Sequence, residues 1–339
     1  MAVGLVGAPR KDPGGPAGPT AAAVVPRVGE NSQVAFELPV VDAVNLAAWC
    51  EVHLGSPVKG ELFRTCHLTC VIGIVLADGR EVVVRVRPAA PRIAACTEAQ
   101  RRLFHSGYPC PQPLAGPAPL GEYEATAESL IAGGARLPDS GRSAQPFAVA
   151  LAQLVQLAPG PGQMPSLAPA PAWAAWNHDQ GGLWPWPEDL DVDLNQVDGS
   201  GWIDAAGQAA RQKLREGRDQ AVVGHGDWIT DNLRWDGDRL LVAYDWDSLI
   251  TDSEAVIAGL AAAIFLYPAL PTVTESQEFL DAYAVGRGRP FSPGELQRCW
   301  AAGVWTRAFD AKQEQAAGQP VTRLTQDEAH ERLRRAGMR

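Results

Sequence analysis

The chain reads as an α+β fold in two lobes, a small five-stranded antiparallel N-terminal lobe followed by a mainly helical C-terminal lobe. Two observations predict it. Short apolar runs of strand character, separated by tight-turn signals, crowd residues 61–131 with one helical stretch among them. From residue 253 onward, apolar residues recur at helical spacing in four separate segments.

Residues 1–36 are rich in Ala, Gly, Pro and Val without a helical or strand period, and Pro and Gly are dense between Pro9 and Pro19. Such a segment is expected to be a disordered tail. The N-terminal lobe is then expected over 37–131 and the C-terminal lobe over 132–339. A helix over 41–54 follows from Val44, Leu46, Ala47, Cys50 and Leu54, and Gly55-Ser56-Pro57 ends it. Strands are expected over 61–65, 70–76 and 81–87, the last two joined at Asp78-Gly79. A helix over 94–105 closes at Gly107, and extended pieces over 112–115 and 123–131 complete the five strands. Gly133-Gly134 and residues 138–141 read as the link to the second lobe. A Pro-rich connection from 157 to 193 carries Trp173, Trp176, Trp184 and Trp186, then an acidic run from Glu188 to Asp193. Helices over 253–267, 274–286, 292–315 and 325–335 complete the chain. Ser292 and Glu295 have the spacing of a capping box. Trp300, Trp305 and Phe309 lie near one helical face and are expected to pack on the lobe.

Composition narrows the class. At 339 residues the chain can bury one large core or two moderate ones. A net charge of −10 and a pI near 5.1 argue against a nucleic-acid surface and favour a neutral or cationic small-molecule partner over a polyanion. No apolar run reaches the roughly 20 residues that cross a bilayer, and 256–270 reads as a buried helix, so no membrane partner is expected. The N-terminus lacks a basic segment followed by an apolar one, so a signal peptide is not expected. Six irregularly spaced cysteines suit reduced thiols in a cytoplasmic protein. Cys66-His67-x-x-Cys70 lacks the second ligand pair of a closed zinc site, and small buried residues at a strand turn explain it better. Nothing in these patterns fixes an oligomeric state.

The most specific pattern lies between Val222 and Leu249. His225-Gly226-Asp227 is followed by Asn232 five residues after the Asp, and Tyr244-Asp245-Trp246-Asp247 places Asp245 thirteen residues after the Asn. The sequence between them reads as loop, short strand, Asp236-Gly237 turn, strand and acidic loop, which brings Asp227, Asn232 and Asp245 to one end of a hairpin. Phosphoryl transfer asks for one carboxylate to take a hydroxyl proton, and an amide with a carboxylate to hold Mg²⁺ across the phosphates. An Asp-x4-Asn match alone arises about once by chance in such a chain, so the weight rests on the joined set.

Residues 225–233 and 244–247 together resemble the aminoglycoside phosphotransferase and choline kinase-like family. The resemblance implies a protein-kinase-like two-lobed fold and phosphorylation of a hydroxyl on a small molecule with ATP or GTP and Mg²⁺. It implies Asp227 as catalytic base, Asn232 and Asp245 as metal ligands, and His225 as a positioning residue bonded to backbone near Asp245. It covers roughly residues 40–315.

The N-terminal lobe departs from the family pattern. Where a lysine usually contacts the phosphates, the third strand carries Arg85 and Arg87 on one face, Arg85 being the better match. The glutamate that usually pairs with that base falls on Cys96, with Glu98 two residues, or about 200° of helix rotation, further on. The resemblance thus assigns nucleotide contacts to Arg85, Glu98 and Glu128. The turn from Arg64 to Cys70 has no glycine for close backbone approach. The tryptophans and acids of 173–193 either anchor the core or lobe interface beside a solvated acidic loop, or offer aromatic faces beside carboxylates, which suit an ammonium group on the acceptor. A second reading is a pseudokinase-like nucleotide-binding or scaffold protein with a degenerate N-terminal lobe.

Overall fold

A computed structural model describes residues 39–137, 144–199, 201–217 and 219–338. The tail expected over 1–36 and the link over 138–141 lie outside the described residues. The described chain opens with α1 (Ala43–Leu54), whose first turn is capped by Asp42 Oδ1 accepting from Val44 N at 2.7 Å and Asn45 N at 3.0 Å. Strands β1 (Val58–Cys66), β2 (Cys70–Leu76) and β3 (Glu81–Arg87) follow, then α2 (Pro91–His105), β4 (Pro113–Leu120) and β5 (Tyr123–Ser129). They form one antiparallel sheet of the five strands expected, in the order β1-β2-β3-β5-β4.

The alternation of β3 explains why this sheet has two different faces. Val82, Val84 and Val86 point one way, into a core with Ile72, Ile74, Leu46, Trp49 and Leu54. Arg85 and Arg87 point the other way, towards the C-terminal lobe. One strand thus supplies both the packing of the small lobe and its charge.

The C-terminal lobe contains α3 (Ala144–Leu157), α4 (Gly201–Arg215), β6 (Ala221–His225), β7 (Leu233–Asp236), β8 (Arg239–Ala243) and β9 (Leu249–Ser253), then α5 (Glu254–Ile264), α6 (Val273–Gly286), α7 (Pro293–Ala316) and α8 (Gln326–Arg335). α3 and α4 have no counterpart among the sequence expectations. Between α3 and α4 the chain makes short 3-10 turns around a buried Trp184, whose ring lies 5.1 Å from Trp305 and 6.2 Å from Phe309. Trp300, Trp305 and Phe309 are buried, so their expected packing role holds.

The cysteine expectation needs correction. Cys66 and Cys70 stand opposite each other across the β1–β2 turn and are joined as a disulfide, where reduced thiols were expected. Cys50, Cys96, Cys110 and Cys299 are free and buried. Among the described residues no helix is long and apolar enough to cross a membrane.

Two features of the helical lobe lend themselves to measurement. α5 and α7 approach so closely that a Cβ on Gly259 would stand 2.1 Å from the Cys299 carbonyl oxygen. Gly259→Ala is therefore expected to lower unfolding free energy by about 1–3 kcal/mol in denaturant titration, the usual range for overpacking. An unchanged midpoint would show that the helices can separate freely.

At the start of α7, burial pushes the Glu295 carboxyl up, but the Ser292 N–H, Arg289 and Arg287 outweigh this and bring it down to about 2. A lowered folded-state value gives stability that is present above the ordinary value of 4.5 and lost as pH falls towards 2. Glu295→Gln is expected to flatten the fall of melting temperature across that window. An equally steep fall in the variant would assign the acid sensitivity elsewhere.

Candidate active site

The site is built on short-range connections around two antiparallel pairs, β6 with β9 and β7 with β8. β6 ends at His225, whose ring is fully buried and whose Nε2 lies 3.0 Å from the Tyr244 carbonyl oxygen. A carbonyl only accepts, so Nε2 carries the proton in this contact. The ring meets Trp228 and Trp246 edge-on at 5.6 and 5.9 Å, which leaves it no path to a substrate. The expected positioning role of His225 matches this geometry.

Gly226 then lets the chain pass under Trp173, because a Cβ there would stand 2.8 Å from the indole. Asp227 follows, 6% exposed. Asn232 Nδ2 donates to both the backbone oxygen and Oδ2 of Asp227, each at 3.0 Å. The Asn232 carbonyl in turn accepts from Tyr244 N at 2.8 Å, tying the loop after β6 to the turn after β8. The structure therefore brings Asp227, Asn232 and Asp245 to one end of the hairpin.

Asp245 adopts φ 62° and ψ 51°, the left-handed region, and is the one non-glycine residue with positive φ among the described residues. Asp tolerates this conformation better than most residues, and such outliers concentrate at functional sites. Ser248 secures the turn, its hydroxyl donating to Asp245 Oδ2 at 2.7 Å and its N–H to the Asp245 carbonyl at 3.0 Å.

From the other lobe, Arg85 Nη1 reaches Asp245 Oδ1 at 3.3 Å while its Nε reaches Glu128 Oε1 at 3.3 Å. Burial works to lower the Arg85 pKa, but Glu128, Asp245 and Asp247 outweigh it and hold the guanidinium charged. Arg87 Nε lies 3.3 Å from Asp247 Oδ2, and Arg92 donates to the carbonyls of Asp247 and Leu249 at 2.6 Å each.

Glu98 is not part of this group. It pairs with Arg101 and Arg102 one turn away on its own helix, its side chain 39% exposed. The two-residue offset from Cys96 turns it off the face that meets the cleft. Cys96 sits on that face, with Sγ 3.8 Å from the Asp247 carbonyl and its thiol pushed up to about 12 by burial.

Beside Asp227 lies a pocket lined by Trp173, Ile229, Ile264, Tyr267, Thr306 and Asp310. Of the four tryptophans over 173–186, which the sequence left between core anchors and a substrate pocket, only Trp173 lines it. Trp184 is core, Trp186 is 49% exposed, and Trp176 donates to Asp252 at 2.7 Å. In the acidic run, Glu188 accepts from Ala172 N and Asp193 caps a 3-10 turn. Tyr267 and Asp310 were not among the sequence candidates. They come from the chain after α5 and from α7, and no local motif marks them.

The donor set fits a hard divalent cation. Asn232 and Asp245 offer amide and carboxylate oxygens, and Mg²⁺ typically takes one or two protein ligands with the rest from phosphate and water.

A model of the phosphotransferase enzyme family, APH, matches residues 60–252. The chain belongs to this family. Among solved structures, the phosphotransferase is similar to amicoumacin kinase hAmiN in complex with AMP-PNP, Ca²⁺ and Ami, at 14% identity over 82% of this chain and 86% of that one, with TM-score 0.53. It is similar to spectinomycin phosphotransferase APH(9)-Ia in complex with ADP and spectinomycin, at 12% identity over 87% and 94%, TM-score 0.53. Aminoglycoside phosphotransferase APH(4)-Ia matches at 14% identity over 87% and 97%, TM-score 0.51. At these identities the likeness establishes the fold, which is kinase-like and α+β, in two lobes. No curated protein matches the chain.

Asp245→Asn keeps a residue that tolerates positive φ while removing the charge. It is expected to weaken Mg²⁺-dependent nucleotide binding by at least roughly 10- to 100-fold in calorimetry, the cost of mutating even the partners that support a metal ligand. Unchanged affinity would remove Asp245 from the metal site.

Proposed function

We propose that this phosphotransferase moves the γ-phosphoryl group of ATP or GTP to a hydroxyl of a small molecule, with Asp227 as the general base. The supporting observation is the Asn232 amide on Asp227 Oδ2 at 3.0 Å, which fixes the carboxylate beside the pocket, while the backbone bond from Tyr244 N to the Asn232 carbonyl at 2.8 Å ties the segment that carries Asn232 to the one that carries Asp245. Asp227 takes the proton of the acceptor hydroxyl as its oxygen bonds to the γ-phosphorus. The bond from that phosphorus to the β–γ bridging oxygen breaks, and the nucleoside diphosphate leaves. Asn232 and Asp245 would hold Mg²⁺, which would supply neutralising charge to the phosphates. Arg85 adds a fixed positive charge at the same end of the cleft.

The acceptor carries an amine in this reading. Trp173 and Tyr267 supply aromatic rings, one face of Tyr267 being covered by the Arg323 guanidinium at 4.4 Å, and Asp310 supplies a carboxylate, in the pocket that Asp227 lines. The spectinomycin and Ami bound in two solved structures of similar fold suggest the same range of acceptors. A cytoplasmic setting, where nucleoside triphosphate is abundant, suits this chemistry.

Coupled ADP release over a panel of aminoglycosides, amino alcohols and sugars tests the proposal. Turnover is expected with at least one amine-bearing hydroxyl compound. Asp227→Asn is expected to lower that turnover by roughly 10²–10⁴-fold while leaving the fold and Mg-nucleotide binding intact, the usual worth of a positioned base. Turnover within threefold of the unmodified protein would contradict the role of Asp227. Mg-nucleotide binding without release on any acceptor would favour the pseudokinase-like reading.

A further inference from the structure

A basic side chain that reaches phosphate from a strand is long and flexible, and it acts as a fixed charge only if another group holds it. α2 is the element from which sequence reasoning expects that group, yet it brings no carboxylate to Arg85. Instead Thr97 and Gln100 are the α2 residues lining the small cavity that Arg85 and Glu128 share.

The sheet supplies the missing charge. β3 and β5 are antiparallel, with Arg85 opposite Thr126 and Val83 opposite Glu128. Opposed residues share a face, so Glu128 lies diagonally across the strands from Arg85, within reach of a long side chain. Its two oxygens have different partners. Oε1 meets Arg85 Nε at 3.3 Å, and Oε2 accepts from Gln100 Nε2 at 2.8 Å, the same nitrogen donating to the Pro111 carbonyl at 3.0 Å. Glu128 is 6% exposed and Gln100 4%. A carboxylate this deep needs both a cation and a donor to be tolerated.

Resting on the phosphotransferase reading, we propose that Glu128 on β5 is the carboxylate that aims Arg85 at the nucleotide phosphates, and that Gln100 on α2 is the positioning residue that holds Glu128. Being neutral, Gln100 orients the carboxylate without competing for the guanidinium. Arg85 then keeps a partner within its own sheet when Asp245 is engaged with metal and nucleotide.

The test uses the full chain, AMP-PNP with Mg²⁺ in calorimetry, melting temperature, and three variants read with and without Arg85→Ala. Glu128→Gln is expected to weaken Mg-AMP-PNP binding roughly 10- to 100-fold, the loss of one bond to a charged group. In the Arg85→Ala background the same change is expected to cost almost nothing more, because both act through one side chain. The exchange Gln100→Glu with Glu128→Gln, which returns a carboxylate to this hydrogen-bonded pair, is expected to recover part of the lost affinity. Should Glu128→Gln fail to fold, Gln100→Met leaves the charge in place and is expected to weaken binding by about 3- to 10-fold. A merely structural role would lower melting temperature, leave AMP-PNP affinity unchanged, and add to Arg85→Ala; any of the last two results overturns the proposal. If the unmodified protein bound no Mg-nucleotide, the phosphotransferase reading would fail and this proposal with it.

Discussion

The positive charge that β3 and α2 present to the turn at 245–249 is the interaction on which the rest of the site depends. Arg85 reaches Asp245, Arg87 reaches Asp247, and Arg92 takes the carbonyls of Asp247 and Leu249. Two of these arginines sit on the strand whose other face, Val82, Val84 and Val86, forms the core of the small lobe. Burying guanidinium groups is costly unless acceptors meet them, and here Asp245, Asp247 and the carbonyls of the turn come from the other lobe, while Glu128 meets Arg85 from its own sheet. The cleft between the lobes therefore has a fixed electrostatic wall before any ligand enters.

On the opposite side the loop over residues 226–232 is held mainly by packing and backbone contacts, with an ion pair between Asp231 and Arg136 at 3.0 Å. Gly226 admits Trp173, His225 is locked between Trp228 and Trp246, and the left-handed turn at Asp245 is tied by Ser248. Each contact narrows the freedom of Asp227, Asn232 and Asp245, and Ser248 does so through one carboxylate oxygen of Asp245. Such preorganisation lets a site of few charged groups support phosphoryl transfer, where positioning and electrostatics carry most of the catalysis.

The sequence made the hairpin legible because everything in it is local. Asp227, Asn232 and Asp245 lie within nineteen residues, one turn signal sets their register, and the period of two separates the arginines of β3 from its valines. Glu128 was a candidate, but its pairing with Arg85 depends on β5 lying next to β3, a strand order that no local pattern encodes. Gln100 gave no signal, since a buried glutamine on a helix looks like any polar residue. Glu98 drew attention as the nearest acid, yet Arg101 and Arg102 stood at the i+3 and i+4 positions that favour a local pair. Tyr267 and Asp310 reach the pocket only through the packing of α5 against α7.

The central claim, transfer of a phosphoryl group to a small-molecule hydroxyl, is tested most directly by ³¹P NMR of the protein with Mg²⁺, ATP and a mixture of amine-bearing polyols. The account expects the γ-phosphate signal to give way to a phosphomonoester and ADP in equal amounts. Conversion to inorganic phosphate alone, or persistence of ATP with every acceptor, would contradict it.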